Sequence, residues 1–473
     1  MCRVQHLEGK MAVSSGVKWL VTLLLPLLIY FAAPSGGLVA PQFPMFLALS
    51  AMAILAWAFN VLSAITVAGG LTFLFILLGV APGSVVFKSW STVLPWLSFA
   101  ALIIGEGMDK SGLARRMALY CLRWTGGSFA GLMIGFGLGG LALVVVIPNV
   151  LARLVVLCTI AVGIAQTLKI DAKSRMSSAL IMLAFCGAAG PQCLFLTSSE
   201  SFIWAFDMMQ ESIGMKMSFW EYARQATFIN VIYHLITLGI VWIVKGRTPL
   251  IAGNEVREFI ESNIREMGPV TPREWKMLAL MSLVVLSFML QPWTNIDPIY
   301  FTCFIVLACY VPGVNILERE SIRDLNIIFL IFVTGCMSIG FVGEAVGANR
   351  WAISYVVPIL EGWGHTLSVF GAYMAGVVLN FLLTPLAANA MFVPALGELG
   401  QALNVNPLPL FYAFNWGTDQ YVLPYETVYF LYIFVTGRVA LRHVVPALLV
   451  RMLLVGLLVV CIAVPYWKFI GLL

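Results

Sequence analysis

The sequence predicts an all-α polytopic membrane protein, with about eleven transmembrane helices and two re-entrant hairpins in an inverted five-helix repeat. Three observations predict it. Of 473 residues, 61% are hydrophobic and only 10% charged, more apolar surface than a water-soluble globular chain needs. Apolar runs able to cross a bilayer core of about 30 Å recur from Trp19 to the C-terminus. The order of these runs before the one long polar stretch, residues 246–275, returns after it.

The elements follow in order. Residues 1–43 hold Arg3, Lys10 and Lys18 ahead of an apolar run ending near YFAAPSGG. That is the layout of a signal peptide, but the membrane helices beyond it favour a retained first helix. Spans at 18–34, 44–59, 61–80 and 91–109 are separated by polar or Gly/Pro punctuation, and residues 44–245 form the first repeat. DKSGLARRMALYCLRW then puts Leu113, Met117 and Tyr120 on one face with Arg115, Arg116 and Arg123 elsewhere, as an interfacial helix does. The apolar segment 127–167 is broken by VIPNVLAR, the segment 176–212 is broken by CGAAGPQC, and 222–245 is unbroken. In the polar stretch 246–275 the charges of VREFIESNIREM alternate in sign, which suits a solvated cytoplasmic linker helix. The second repeat, 276–473, brings spans at 276–291, 297–313 and 325–345, an arm, broken segments at 366–403 and 407–440, and a last span at 444–467. Ile104 with Ile339, Gly105 with Gly340, Gly112 with Gly347 and Arg115 with Arg350 all differ by 235 (339 − 104 = 235).

Basic residues orient the chain. With the N-terminus cytoplasmic, that side collects Lys110, Arg115, Arg116, Arg123, Lys169, Lys173, Arg175, the linker, Arg319, Arg323, Arg438 and Arg442. The opposite side holds little beyond Lys88, Lys216 and Arg350. This bias works only if 127–167 and 366–403 each enter and leave on one side, which makes them hairpins and turns the second half upside down. The expected location is a cell's inner membrane, multi-pass.

Lipid cannot satisfy free amide groups, so irregular backbone at membrane depth must be buried in protein or line a wet cavity. VIPNVLAR and its counterpart TPLAANAMFVP, residues 384–394, are therefore expected hairpin tips at a binding site, meeting near the midplane. Half-helix N-termini there offer N–H groups to an anion, while exposed carbonyls and Asn149 and Asn389 can hold substrate or a cation. Arg153 carries the bidentate geometry that matches a carboxylate or sulfate. Ionisable residues inside membrane segments mark functional sites, which adds Glu200 and Glu426 as cation or proton ligands, and Asp419 with Gln420 in NWGTDQY.

Other patterns lead nowhere. GFGLGG at 135–140 satisfies GxGxxG without a strand-turn-helix unit, and Gly131, Gly135 and Gly139 have the spacing of close helix packing. His234 and His365 lack an HExxH-type partner, and no GxSxG elbow or Walker loop is present, so no enzyme is indicated. The nine cysteines make no CxxC pair, so neither a disulfide framework nor a zinc site is expected. The net charge of +5 is accounted for by cytoplasmic basic loops and does not imply nucleic acid.

From about Trp90 onward the chain resembles the divalent-anion/sodium symporters, carriers of dicarboxylates, citrate or sulfate. LIIGEGMDKSGLARRMA is similar to that family's Gly-rich helix and T-G-L-x-R-R arm, and two hairpin tips alternate with two interrupted helices in the same order. The resemblance implies a Ser-Asn-Thr sequence at each tip that touches sodium and substrate. Here the tips read Asn149-Val150-Leu151 and Ala388-Asn389-Ala390, with Asn389 in register and Asn149 one place early. The family's Thr-Pro-Pro-Asn loop stands altered as LTSSES, whose Thr197 and Ser198 become substrate candidates, and as LPYETV. The resemblance further implies a homodimer in the bilayer. The expected function is secondary active transport of small di- or tricarboxylates or sulfate, sodium-coupled, with no cofactor beyond the coupling sodium ions. Proton-coupled transport, sodium-independent exchange and, as another class, a passive anion channel are the alternatives.

Overall fold

The computed structural model describes residues 15–473 apart from 60, 93, 249–252, 295, 326, 361 and 425. Arg3 and Lys10, which enter the orientation argument, lie outside the described residues. The described chain is helical, with only an isolated bridge between Gly36 and Val39.

The helices are α1 (Ser15–Ala32), α2 (Phe43–Ala58), α3 (Ala64–Leu77), α4 (Leu94–Ser111), α5 (Leu113–Thr125), α6 (Phe129–Val146), α7 (Val150–Thr167), α8 (Arg175–Ala189) and α9 (Glu200–Ile213). A long helix α10 (Phe219–Lys245) and the linker helix α11 (Gly253–Met267) follow. Then come α12 (Pro272–Thr294), α13 (Pro298–Val306), α14 (Ile328–Ala345), α15 (Ala348–Leu360), α16 (Gly364–Leu382), α17 (Pro385–Ala402), α18 (Pro407–Thr418), α19 (Val428–Val435) and α20 (Leu441–Phe469). Among the described residues five helices are each long and apolar enough to cross a membrane: α6, α7, α10, α12 and α20.

Their starts have local causes. Ser128, Asn149 and Ser174 cap α6, α7 and α8 by accepting from the backbone N–H three residues on, and Ser218 with Glu221 forms a reciprocal cap at the start of α10. Asn406 caps α18, where Pro407 takes the first helical position.

The repeat is visible in the helix starts. α5 and α15 begin 235 residues apart (348 − 113), as do α6 and α16 (364 − 129) and α7 and α17 (385 − 150), while α4 and α14 differ by 234 (328 − 94). Both expected hairpins are helix–break–helix elements, with Ile147–Asn149 and Leu383–Thr384 between the arms.

Packing divides the chain into two units. Among the described residues one takes in those up to Thr92, Ile328–Val356 and Ala390–Phe392, and its core joins Phe43, Phe46, Leu71 and Phe75 to Ile339 and Val342. The other takes in Val93–Ile327, Val357–Asn389 and Val393–Leu473. At its centre lies α8, buried from Met176 to Ala189. Small residues let the backbones touch there: a Cβ on Gly140 of α6 would fall on the Gly187 carbonyl of α8. The same crossing recurs between α16 and α18, where a Cβ on Gly376 would fall on the Phe414 carbonyl and one on Gly417 on the Tyr373 carbonyl. Gly131, Gly135 and Gly139 face the α5 residues Thr125, Leu122 and Ala118, so the GFGLGG stretch is a packing surface.

The linker is more firmly held than its charge pattern suggests. Val256 and Ile260 of α11 are buried, and Phe259 packs over Gly163 of α7. Arg116, expected on a solvated face, is instead buried: it pairs with both Glu274 oxygens at 2.5 and 3.2 Å and donates to the carbonyls of Met267, Gly268 and Pro269. The side chain thus clamps the end of α11 to α5, which charge periodicity alone could not reveal.

Candidate functional site

The first break is organised around Arg153. One turn into α7 and fully buried, its guanidinium donates to Ala188 O at 3.1 Å, Ile147 O at 2.5 Å and Ser198 O at 2.6 Å. These carbonyls come from the end of α8, the hairpin break and the loop before α9. The broken segments have such unpaired carbonyls because a helix end leaves its last C=O groups without partners. Arg153 Nη2 has no partner. The arginine therefore does not snorkel to an interface; it ties the tip to the loop.

Asn149 joins the same cluster from the tip. Its Oδ1 accepts from Ala152 N at 2.8 Å, which caps α7, and its Nδ2 donates to Glu200 Oε1 at 3.2 Å. Glu200 is the first residue of α9; its backbone N–H donates to Pro148 O at 2.7 Å and its Oε2 is buried without a partner. Ser198 uses its hydroxyl within its own turn, accepting from Phe195 N at 2.7 Å, and its carbonyl on Arg153. Half-buried Thr197 and Glu200 are polar groups in a narrow cleft whose walls are otherwise mainly apolar, among them Ile104, Pro148, Val284 and Phe288. Four of the five first-half candidates, Asn149, Arg153, Ser198 and Glu200, are thus hydrogen-bonded into one cluster, and Thr197 lies beside it.

The second half is wired differently. Asn389 lies inside α17, a full turn beyond its start, and donates to Asn415 Oδ1 at 3.4 Å; its own Oδ1 is buried and unpartnered. Position 388, the counterpart of Arg153 at the same 235 offset, is Ala388. Its place as a tie is taken by Asn380 of α16, which donates to Gln420 O at 3.3 Å and Glu426 Oε2 at 3.2 Å. Glu426 also accepts from Val422 N at 2.8 Å and Leu423 N at 3.2 Å, so both its oxygens are spent folding the loop between α18 and α19.

Asp419, at the end of α18, is paired with Arg451 of α20 at 2.7 Å, and Tyr233 of α10 donates to the same carboxylate oxygen. Arg451 further donates to Asp419 O at 2.9 Å, to Thr237 Oγ1 at 3.1 Å and to the Tyr233 hydroxyl. Gln420 donates to Trp416 O at 2.7 Å, and its Oε1 is unpartnered. Arg451 and Asn380 are the residues that sequence reasoning missed. An arginine inside the last apolar run, 444–467, is the signal that could have found the first; Asn380, one polar side chain in a long apolar arm, carries almost none.

Chemically, the first cluster offers a held guanidinium with one free N–H edge and a carboxylate with one free oxygen. The second offers free amide and carboxylate oxygens: Asn380 Oδ1, Asn389 Oδ1, Asp419 Oδ1 and Gln420 Oε1.

The chain is similar to several known proteins. It is 25% identical over 275 residues to dicarboxylate transporter 2, chloroplastic, of Spinacia oleracea, covering 55% of this chain and 47% of that one. It is 24% identical over 328 residues to dicarboxylate transporter 2.1, chloroplastic, of Arabidopsis thaliana, covering 67% and 55%. The matches thus span about half the length of these plant relatives. It is 22% identical over 342 residues to the L-tartrate/succinate antiporter of Escherichia coli K12, covering 68% and 67%. Among solved structures, the YdaH transporter of Alcanivorax borkumensis has the same fold, with a TM-score of 0.50 over 97% of each chain at 14% identity. The profile of the sodium:sulfate symporter transmembrane region matches residues 14–473, and the chain belongs to that family of membrane transporters.

Proposed function

We propose that this protein is a secondary active transporter of small dicarboxylates that works by alternating access and couples the movement of one anion to the return of another. The relatives named as dicarboxylate transporters and as an L-tartrate/succinate antiporter support the substrate class. One observation carries the coupling mode: the guanidinium of Arg153 already sits on Ile147 O, Ala188 O and Ser198 O. In cation-coupled carriers, unwound carbonyls and half-helix ends of this kind coordinate the ion. Here that closure belongs to a side chain that stays when substrate leaves, so no dissociable cation is needed to tie tip to loop.

Sodium symport is the second reading, favoured by the unpartnered Glu200 Oε2 and Asn389 Oδ1, acceptors that a cation could use. Vesicles containing the purified protein separate the two. Exchange predicts that labelled succinate enters only when unlabelled dicarboxylate is inside, at a rate that changes less than about twofold when sodium replaces choline. Sodium-driven entry into empty vesicles would establish symport instead. Absence of saturable uptake for succinate, tartrate and sulfate alike would end the transport reading.

A further inference from the structure

Two of the long helices contain a turn wound as π-helix: Ala223–Thr227 in α10 and Val459–Ala463 in α20. A π-turn interrupts the i→i−4 ladder, leaves carbonyls open to other donors, and tends to occur at functional positions. The carbonyls at the first turn are taken from α20: Tyr466 Oη donates to Arg224 O at 2.5 Å and Trp467 Nε1 to Gln225 O at 2.9 Å.

The side chains around that turn reach two separate places. Toward the first half, Thr227 donates to Leu194 O at 2.9 Å, and Tyr222 and Asn230 both donate to Cys193 O. Cys193 and Leu194 lie in the loop that runs through Thr197 and Ser198 to Glu200, the first residue of α9. Toward the second half, Tyr412 of α18 donates to Gln225 Oε1 at 2.9 Å and Trp416 Nε1 donates to Asn230 Oδ1 at 2.9 Å. The rings of Trp416 and Trp467 stack in parallel, 5.7 Å apart, behind these bonds. Trp416 lies next to Asn415, the partner of Asn389, and one turn before Asp419. The single amide of Asn230 therefore bonds both to the loop of one half and to the site helix of the other, and the Tyr222 ring beside it packs on Tyr412.

We infer that the π-turn at Ala223–Thr227, with Asn230 just beyond it, is a positioning element that makes the Cys193–Glu200 loop and α18 move together. A π-turn and an α-turn differ by one residue of register, about 100° of rotation, so such a turn has two discrete arrangements rather than a continuum. A two-state element whose equilibrium both sites bias is one physical basis for coupling between them. This inference rests on the transport reading for its consequence in turnover, but not for its structural content.

Trp416→Phe and Tyr412→Phe test it, since each removes a single donor while keeping an aromatic ring. The first readout is amide hydrogen exchange in segment 193–200, which needs no substrate. Exchange there rises at least about threefold in Trp416→Phe, although the substitution is on α18. The second readout is transport: maximal succinate exchange falls about tenfold, more than the modest loss of ligand-free stability that one unpaired buried acceptor brings, while the succinate concentration giving half-maximal thermal stabilisation stays within error of wild type. Unchanged loop exchange in both variants overturns the inference. So does a loss of rate matched by equal losses of binding and of ligand-free stability, as for a merely structural contact. A wild-type protein that moves no dicarboxylate, with loop exchange raised as expected, overturns the transport reading and leaves the inference standing.

Discussion

The two hairpin modules share a scaffold and differ in how their tips are fastened. In both, two long helical arms flank a short break, and the first arm crosses the following helix at a glycine pair, Gly140 with Gly187 and Gly376 with Gly417. In the first, a buried arginine gathers three carbonyls and Asn149 holds Glu200. In the second, Asn380 and Glu426 do the fastening, and a buried arginine, Arg451, comes from α20 and is paired with Asp419. Close backbone crossing admits only glycine, whereas a set of free carbonyls can be satisfied by any donor that reaches it. A repeated scaffold thus retained its crossings while its polar ties diverged.

The largest expected effect tests the difference in fastening. Arg153→Met leaves three buried carbonyls without donors and should cost about 3 kcal/mol or more of stability, whereas Asn380→Ala should cost about 1–2 kcal/mol. Thermal unfolding in detergent reads both, and equal costs would mean that Arg153 is not the tie it is drawn to be. The shared crossing comes next. Gly140→Ala and Gly376→Ala each force the facing backbone away and should each cost about 1–3 kcal/mol. A penalty in only one half would show that the crossing is not truly repeated.

The smallest stability effects separate the two asparagines. Asn149→Ala removes a helix cap and should cost about 1 kcal/mol. Asn389→Ala removes no cap, so its melting temperature should barely move while dicarboxylate uptake drops at least about tenfold, through loss of a buried amide that can both donate and accept. Uptake within about a factor of two of wild type would remove Asn389 from the site.

Much of the fold was legible. Apolar runs at 127–167 and 366–403, each broken by a Pro-Asn or Thr-Pro stretch, are the helix–break–helix elements observed, because length and hydropathy register directly in the chain. The single turns Gly83–Val86 and Lys88–Ser91 and the two π-turns were not, since a one-residue change in winding leaves no compositional mark. Of the site, Asn149 with Glu200 and Arg153 with Ser198 were named as separate candidates; that they bond to one another was hidden, because partners 51 and 45 residues apart leave no pattern in the chain.

What the sequence by itself determined is the class and the punctuation: a helical membrane chain, two broken hairpins, a repeat offset by 235, and a short roster of polar residues at membrane depth. Each of these follows from solvation, since lipid penalises every exposed polar group and so makes exceptions conspicuous. What only the tertiary structure decided is which exceptions satisfy one another. Arg153 holds three carbonyls, Glu426 holds Val422 and Leu423, and Asp419 is paired with Arg451, 32 residues away on another helix. A buried donor takes the strongest acceptor within about 3 Å, and which one that is depends on how distant helices cross rather than on the residues beside it in the chain.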